Sequence, residues 1–355
     1  MGLDAEYGAL VSGWTDRRFL TLGGSRLPIV QAPMAGAGGV ALAAAASEGG
    51  AVGSLPCAML MPDEAKAQAA EVRAKAEGPL NLNFFCHVTP DAADDSAWRA
   101  LLAPLYAKAG VAGGDAPPSR RPFDAAMCAA VEEIRPELVS FHFGLPDEAL
   151  LARVRASGAH ILGNATNVAE ARWLAARGVD AIIAQGWEAG GHSGAFLGGD
   201  PAERIGLVAL VPQIADAVDV PVIAAGGIGD ARGIAAALTL GAAAVQLGTA
   251  YLPCPESLIG AAHREGLAGD AAAHTAFTNV YSGRLGRGLP GPLTDALGRV
   301  REEVPPFPLA SAALAPLGLK PMWAGQAASL GRPEPARALT ERLGREALAL
   351  LGGRR

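Results

Sequence analysis

The chain has 355 residues, of which 50% are hydrophobic, 18% charged and 5% aromatic, with 46 Gly and 26 Pro. Gly and Pro stay near a fifth of the chain, under the roughly 25–30% that marks low complexity, so general disorder is excluded. The net charge of −6, with no basic stripe, excludes a surface that tracks nucleic-acid phosphates.

In chain order, apolar runs at 28–34, 51–55, 80–85, 138–143, 160–164, 181–185, 220–225 and 243–247 read as strands. They are continuously apolar rather than alternating, as strands buried on both faces are. Between them the pattern predicts helices at 39–48, 62–76, 147–156, 168–177, 202–218 and 230–240. Asn167 and Asp230 are N-cap residues, and Gly49, Gly158, Gly178 and Gly241 stand at helix ends. Strict β/α alternation gives a parallel sheet, and eight units predict an α/β fold of the closed (β/α)8 TIM-barrel type. The alternative, an open doubly wound sheet, lacks its G-x-G-x-x-G turn: Gly36-Ala37-Gly38-Gly39 has the wrong spacing.

The chain reads as a single domain over 1–355 with two additions. Segment 86–136 holds two helical patterns around a Gly/Pro loop at 113–118 and is expected as an insertion over the active face. Segment 253–355 is expected as a C-terminal extension, ending in a helix near 336–351 that packs on the barrel or on an oligomer partner; a homodimer stays open. No run reaches the ~18 apolar residues of a spanning helix. The start MGLDAEYGALVSGWTDRRF has no signal-peptide pattern, so no membrane role is expected. Cys57, Cys86, Cys128 and Cys254 form no C-x-x-C pair and read as free thiols in a reducing cytoplasm.

The densest chemical feature is QGWEAGGHSG at 185–194, directly after the sixth strand. Its glycines let backbone amides turn toward a ligand and hold the imidazole of His192 at the loop's end, where proton transfer near neutral pH is possible. Gly226 and Gly227 follow the seventh strand, and Gln246-Leu247-Gly248-Thr249 ends the eighth; barrels bind phosphate at these two strand ends. Ala32 and Met34 end the first strand, and Asn83, which both donates and accepts, ends the third. His87 and His142 stand near strand ends and could line the site. No metal-binding pattern, P-loop or G-x-S-x-G elbow is present, which shifts the weight to an organic cofactor.

These segments resemble the nitronate monooxygenases, formerly called 2-nitropropane dioxygenases. The likeness runs in order through PIVQAPMAG (28–36), VSFHFGLP (139–146), QGWEAGGHSG, PVIAAGGI (221–228), QLGTAYLPCPES (246–257), SGRLGRG (282–288) and WAGQ (323–326). The resemblance implies an FMN-dependent barrel that oxidises alkyl nitronates with dioxygen to a carbonyl compound and nitrite. It implies FMN contacts at Asn83, Gln185, Gly190, Gly226, Gly227 and Gln246 through Thr249, with Ala32 and Met34 lining the flavin face. His192 would be catalytic, and His142, Trp187, Ser193 and Ser282 would line the substrate pocket. A related alternative is the NADH- and FMN-dependent enoyl-acyl-carrier-protein reductase. With few aromatic side chains in the chain, the flavin itself is expected to supply the site's large flat surface.

Overall fold

The computed structural model describes residues 13–91, 93–114 and 120–352. The strands are β1 (Ile29–Gln31), β2 (Gly53–Pro56), β3 (Leu80–Phe85), β4 (Leu138–His142), β5 (His160–Ala165), β6 (Ala181–Gln185), the two-residue β7 (Gly191–His192), β8 (Val222–Ala225), β9 (Ala244–Leu247), β10 (Ala276–Thr278) and β11 (Gly286–Gly288). Eight of them form one parallel sheet in the order β1-β9-β8-β6-β5-β4-β3-β2. A parallel bridge between Val30 and Val52 joins its two ends, and Gln31 N donates to Val52 O at 2.9 Å. The sheet is therefore a closed barrel, and the open doubly wound alternative is excluded.

The helices are α1 (Arg18–Gly23), α2 (Val40–Glu48), α3 (Pro62–Lys75), α4 (Ser96–Ala109), α5 (Ala125–Ile134), α6 (Glu148–Ala156), α7 (Val168–Ala175), α8 (Leu207–Ala215), α9 (Ala231–Thr239), α10 (Ala261–Ala268), α11 (Pro292–Leu297), α12 (Ala310–Leu314) and α13 (Ala336–Gly352). Their starts follow from side-chain caps that satisfy otherwise orphaned first-turn amides. Asp147 accepts from Leu150 N, Asn167 from Glu170 N, and Asp230 from the amides of Arg232 and Gly233. Gly158, Gly178 and Gly241 take the left-handed φ that ends a helix without a Cβ penalty. After α2 that role falls one residue later, on Gly50; Gly49 is right-handed, and a Cβ there would lie 2.7 Å from Thr340 on α13.

Two expected elements are shorter in the structure. The first strand ends at Gln31, because Pro33 has no N–H to continue the ladder. The helix expected at 202–218 is α8 alone, preceded by one turn at Pro201–Glu203. Residues 204–206 are held extended instead: Trp187 N donates to Ile205 O at 2.9 Å, and the Glu188 carboxylate accepts from Leu207 N at the start of α8.

Between β3 and β4 the two helices have separate places. α5 packs between α3 and α6 in the barrel's outer ring. α4 packs through Trp98, Leu102 and Tyr106 against Val280, Leu293, Ala310 and Leu314 of the C-terminal segment. The Gly/Pro loop at 113–118 lies mostly outside the described residues. After β9 the chain runs over the barrel's C-terminal end before α13 returns to the outer ring between α9 and α2. Leu339, Leu343 and Ala347 of α13 are buried there. No described helix is long and apolar enough to cross a membrane.

Candidate active site

The sheet order brings β1, β9, β8 and β6 side by side, so their C-terminal ends form one continuous arc. That arc collects Ala32 and Met34, Gln246 through Thr249, Gly226 and Gly227, and the Gln185–Gly190 loop. Ala32 N donates to Leu247 O at 2.8 Å. A Cβ built on Gly248 would stand 3.5 Å from the Ala32 Cβ and 3.7 Å from the Met34 Sδ. Asn83 lies away from the arc on β3; its amide group donates to Ser140 Oγ at 2.9 Å. Below it, Asn81 donates to both Ser54 and Ser140, and Gln31 accepts from Ser54 N, so buried amides and hydroxyls line this part of the barrel.

Gly226 and Gly227 both have positive φ, 114° and 67°. Added Cβ atoms would meet Ala189 N at 2.9 Å and Glu188 Cβ at 3.0 Å, respectively. The glycine pair thus lets the loop after β6 lie directly on the end of β8. Gly190 is packed as tightly against Ala324 and Gly325, where Gly325 N donates to Thr249 Oγ1 at 2.9 Å and Gln326 N to Glu188 O at 2.9 Å. The 323–326 segment therefore ties the end of β9 to the His192 loop.

His192 sits in β7, which pairs with β11 in a small antiparallel sheet, β10-β11-β7, separate from the barrel sheet. The pairing Gly286↔His192 brings the SGRLGRG segment onto the QGWEAGGHSG loop. Gln185 fixes the loop from inside: its Nε2 donates to His192 O at 2.9 Å and its Oε1 accepts from Gly194 N at 2.7 Å. With these bonds made, most of the Gln185 amide is committed to the protein. Arg284 fixes the loop from outside, donating to Ser193 O and Ala195 O.

The His192 ring is buried, and its Nε2 stands 2.8 Å from Ser282 Oγ. Around it are Phe307 and Trp323, both at 5.3 Å between centroids, with Phe143 at 6.2 Å and Phe85 at 6.4 Å. Phe143, unusually for a phenylalanine, has a φ of 69°, a strained backbone at the end of β4. Although aromatic residues are few in the chain, they gather here, so the protein builds an aromatic wall of its own. His142 lies beside the same loop: a Cβ on Gly194 would stand 2.7 Å from its Cε1. Trp187 and Ser193 line a cavity of about 10 Å³ together with Gln185, Ala189, Thr166 and Arg204. Trp187 stacks on Phe277 at 3.8 Å.

The charges that bear on His192 are cationic. Burial pushes its pKa well below the usual histidine range, and Arg120, His142 and Arg284 add to the effect. His142 is driven down to about 3, by burial first and then by Arg284; a hydrogen bond to the His192 backbone opposes this. Arg284 itself is lowered to about 10 by burial, and its guanidinium lies 4.0 Å over the Phe143 ring. At neutral pH the site thus presents neutral imidazoles and buried guanidinium charge, an environment that favours an anion. The sequence reading did not single out Arg284, Arg120 or Phe307. Arg284 lies inside a quoted segment, but nothing local to Phe307 or Arg120 marks them.

These side chains gather at the C-terminal strand ends of a closed (β/α)8 barrel, the face on which enzymes of the barrel class carry their chemistry. The comparisons narrow the class. The family model described as "Nitronate monooxygenase" matches residues 19–342, and the chain belongs to that family, a family of oxidoreductases. It is 42% identical over 351 residues to the nitronate monooxygenase of Paraburkholderia phytofirmans, covering 93% of this chain and 94% of that one. It is also 42% identical to the enzyme of Pseudomonas aeruginosa, covering 92% and 97%. Among solved structures, nitroalkane oxidase from Streptomyces ansochromogenes superposes with a TM-score of 0.87 at 34% identity, covering 95% of this chain and 100% of that one. FabK from Thermotoga maritima is more distant, with a TM-score of 0.73 at 25% identity over 95% and 97%, so the reductase alternative is less favoured.

Proposed function

We propose that this chain oxidises alkyl nitronates with dioxygen on a bound FMN, giving a carbonyl compound and nitrite. The observation that carries the reading is the setting of His192 within the family's fold: a buried neutral imidazole, walled by aromatic rings and faced by guanidinium charge. An alkyl nitronate matches that setting, since it is a small anion with an apolar tail.

Two features of the arc fit FMN. Gln246 Oε1 is buried without a hydrogen-bond partner among the described residues, a vacancy that an N–H of a bound ring edge would fill. The glycines at 226 and 227 let the loop after β6 close onto the strand end, and Gly248 lies against Ala32 and Met34, where a flat ring would approach. In this reading Gly226, Gly227, Gly248 and Thr249 hold the phosphate end. Asn83, Gln185, Gly190, Gln246 and Leu247 border the ring, with Ala32 and Met34 against its face. FMN, when bound, supplies the electron-transfer and oxygen chemistry.

The remaining work belongs to side chains of this chain. Ser282 orients the His192 ring. When its hydroxyl proton goes to Arg284 O, at 3.2 Å, Ser282 accepts from His192 Nε2–H. The lone pair then rests on Nδ1, free to take an α-proton from a neutral nitroalkane or, once protonated, to hold the anionic nitro group. Arg284 stabilises the anion through its charge, His142 backs the loop through its bond to the His192 backbone, and the aromatic wall excludes water. Trp187 and Ser193, on the same loop beside Gln185, would border the substrate pocket. Free thiols at Cys57, Cys86, Cys128 and Cys254 support the cytoplasm as the compartment.

The test is oxygen consumption by the purified yellow protein on adding propyl-2-nitronate without NADH. Rapid uptake with nitrite release is expected. Silence with nitronate, together with flavin bleaching by NADH, would replace this reading with the reductase.

A further inference from the structure

The aromatic wall beside His192 carries a second imidazole. His87 lies on the segment leaving β3 and is only 6% exposed. Both of its ring nitrogens are buried without a hydrogen-bond partner among the described residues. Its neighbours are rings: Phe307 at 4.8 Å edge-on, Phe85 at 6.3 Å and Phe143 at 6.4 Å. The same Phe307 ring lies 5.3 Å from His192, so the two imidazoles flank one phenylalanine.

A buried donor or acceptor left unmade costs stability, and such atoms are exceptions in native structures. Packing does not account for His87, because phenylalanine or leucine would fill an aromatic cluster without that penalty. A polar partner that arrives from outside the chain does account for it. Burial, aided by the charges of Arg284 and Arg120, lowers its pKa to about 4. At neutral pH the ring therefore keeps one N–H donor and one lone pair and adds no charge.

We propose that His87 is a substrate-binding residue whose ring N–H donates to an oxygen of the nitro or nitronate group, beside the Phe307 ring that it shares with His192. The inference rests on the reading of the chain as a nitronate oxidase and adds a specificity determinant to it: a hydrogen-bond donor that selects an oxygen-bearing head group over an apolar one.

The experiment uses the FMN-loaded protein and three chains: wild type, His87→Phe and His87→Gln. The binding constant of inorganic nitrite is measured by calorimetry, alongside kcat and KM for propyl-2-nitronate and the thermal midpoint. The loss of one hydrogen bond predicts a roughly tenfold weaker nitrite Kd and higher nitronate KM in His87→Phe. kcat should change less. His87→Gln, which restores an N–H, should recover most of the affinity. The thermal midpoint of His87→Phe should hold or rise, since a buried polar group without a partner is removed; a purely structural histidine predicts a lower midpoint with affinity unmoved. Equal nitrite binding in wild type and His87→Phe would overturn the proposal, including the case in which the vacancy is met by an ordered water. Absence of oxygen uptake by the wild type would refute the functional reading instead, and the nitrite titration scores His87 independently of it.

Discussion

At the scale of single residues, the site is built from neutral imidazoles in a cationic field. In the proposed reading His192→Ala removes the proton-transfer group while leaving the strand-end arc intact. Turnover of a neutral nitroalkane should fall by about 10²–10⁴-fold, the usual contribution of a general acid or base, with flavin content unchanged. A variant that kept near-wild-type kcat/KM on that substrate would remove His192 from its role. The buried histidines also make a stability prediction. His87 and His263 are lowered to about 4 and His142 to about 3, in each case by burial first. Unfolded, each returns to about 6.5. The unfolded chain therefore binds more protons between those values, so stability is full above about pH 6.5 and is lost as pH falls toward the folded pKa values. Urea midpoints measured from pH 7.5 to 4.5 should drop through that window, and the slope should shrink in His142→Asn. A flat profile would contradict the burial of these rings.

At the scale of elements, the loop after β6 is placed by contacts from four directions. β11 pairs with it, Gln185 bridges it, the glycines after β8 lie under it, and residues 323–326 bind its far side. The Gly226–Gly227 turn acts directly on that loop. Gly227→Val would force a β-branched residue into φ 67° with its Cβ 3.0 Å from Glu188 Cβ. A cost of about 1–3 kcal/mol for such strain is expected, together with displacement of the loop. The measurable result is lower flavin content per chain after gel filtration and a lower thermal midpoint. Wild-type values of both would show that the turn tolerates a side chain. The loop itself was legible in the sequence because four glycines crowd one histidine directly after an apolar run. Its partner sheet was not, because β7, β10 and β11 are only two or three residues long and carry no periodicity.

At the scale of the whole molecule, α13 completes the ring of helices around the barrel. It fills the position between α9 and α2 that a crossover directly after β9 would take, and Tyr251 OH lies 2.6 Å from Thr340 Oγ1 across that contact. Leu343 on its inner face is fully buried. Leu343→Ala should cost about 2–5 kcal/mol, the range for a buried leucine truncated without collapse. Equilibrium urea unfolding measures it, and a change within experimental error would mean that α13 is not part of the cooperative unit. The segment between β9 and α13 meanwhile supplies Ser282, Arg284, Phe307 and Trp323 to the site, so the same excursion both closes the fold and walls the chemistry.

All eight barrel strands were legible in the sequence, because a strand buried on both faces needs a continuous apolar run and that signal is local. His192, the strand-end glycines and the order of the motifs were legible for the same reason: each is a property of a few neighbouring residues. The tertiary structure alone decided which side chains share the His192 ring, that Trp187 stacks on Phe277, and that His87 is enclosed without a partner among the described residues. Those facts depend on where β11, Phe307 and the 323–326 segment return over the barrel. That return is set by packing between segments far apart in the chain, which no local pattern of residues encodes.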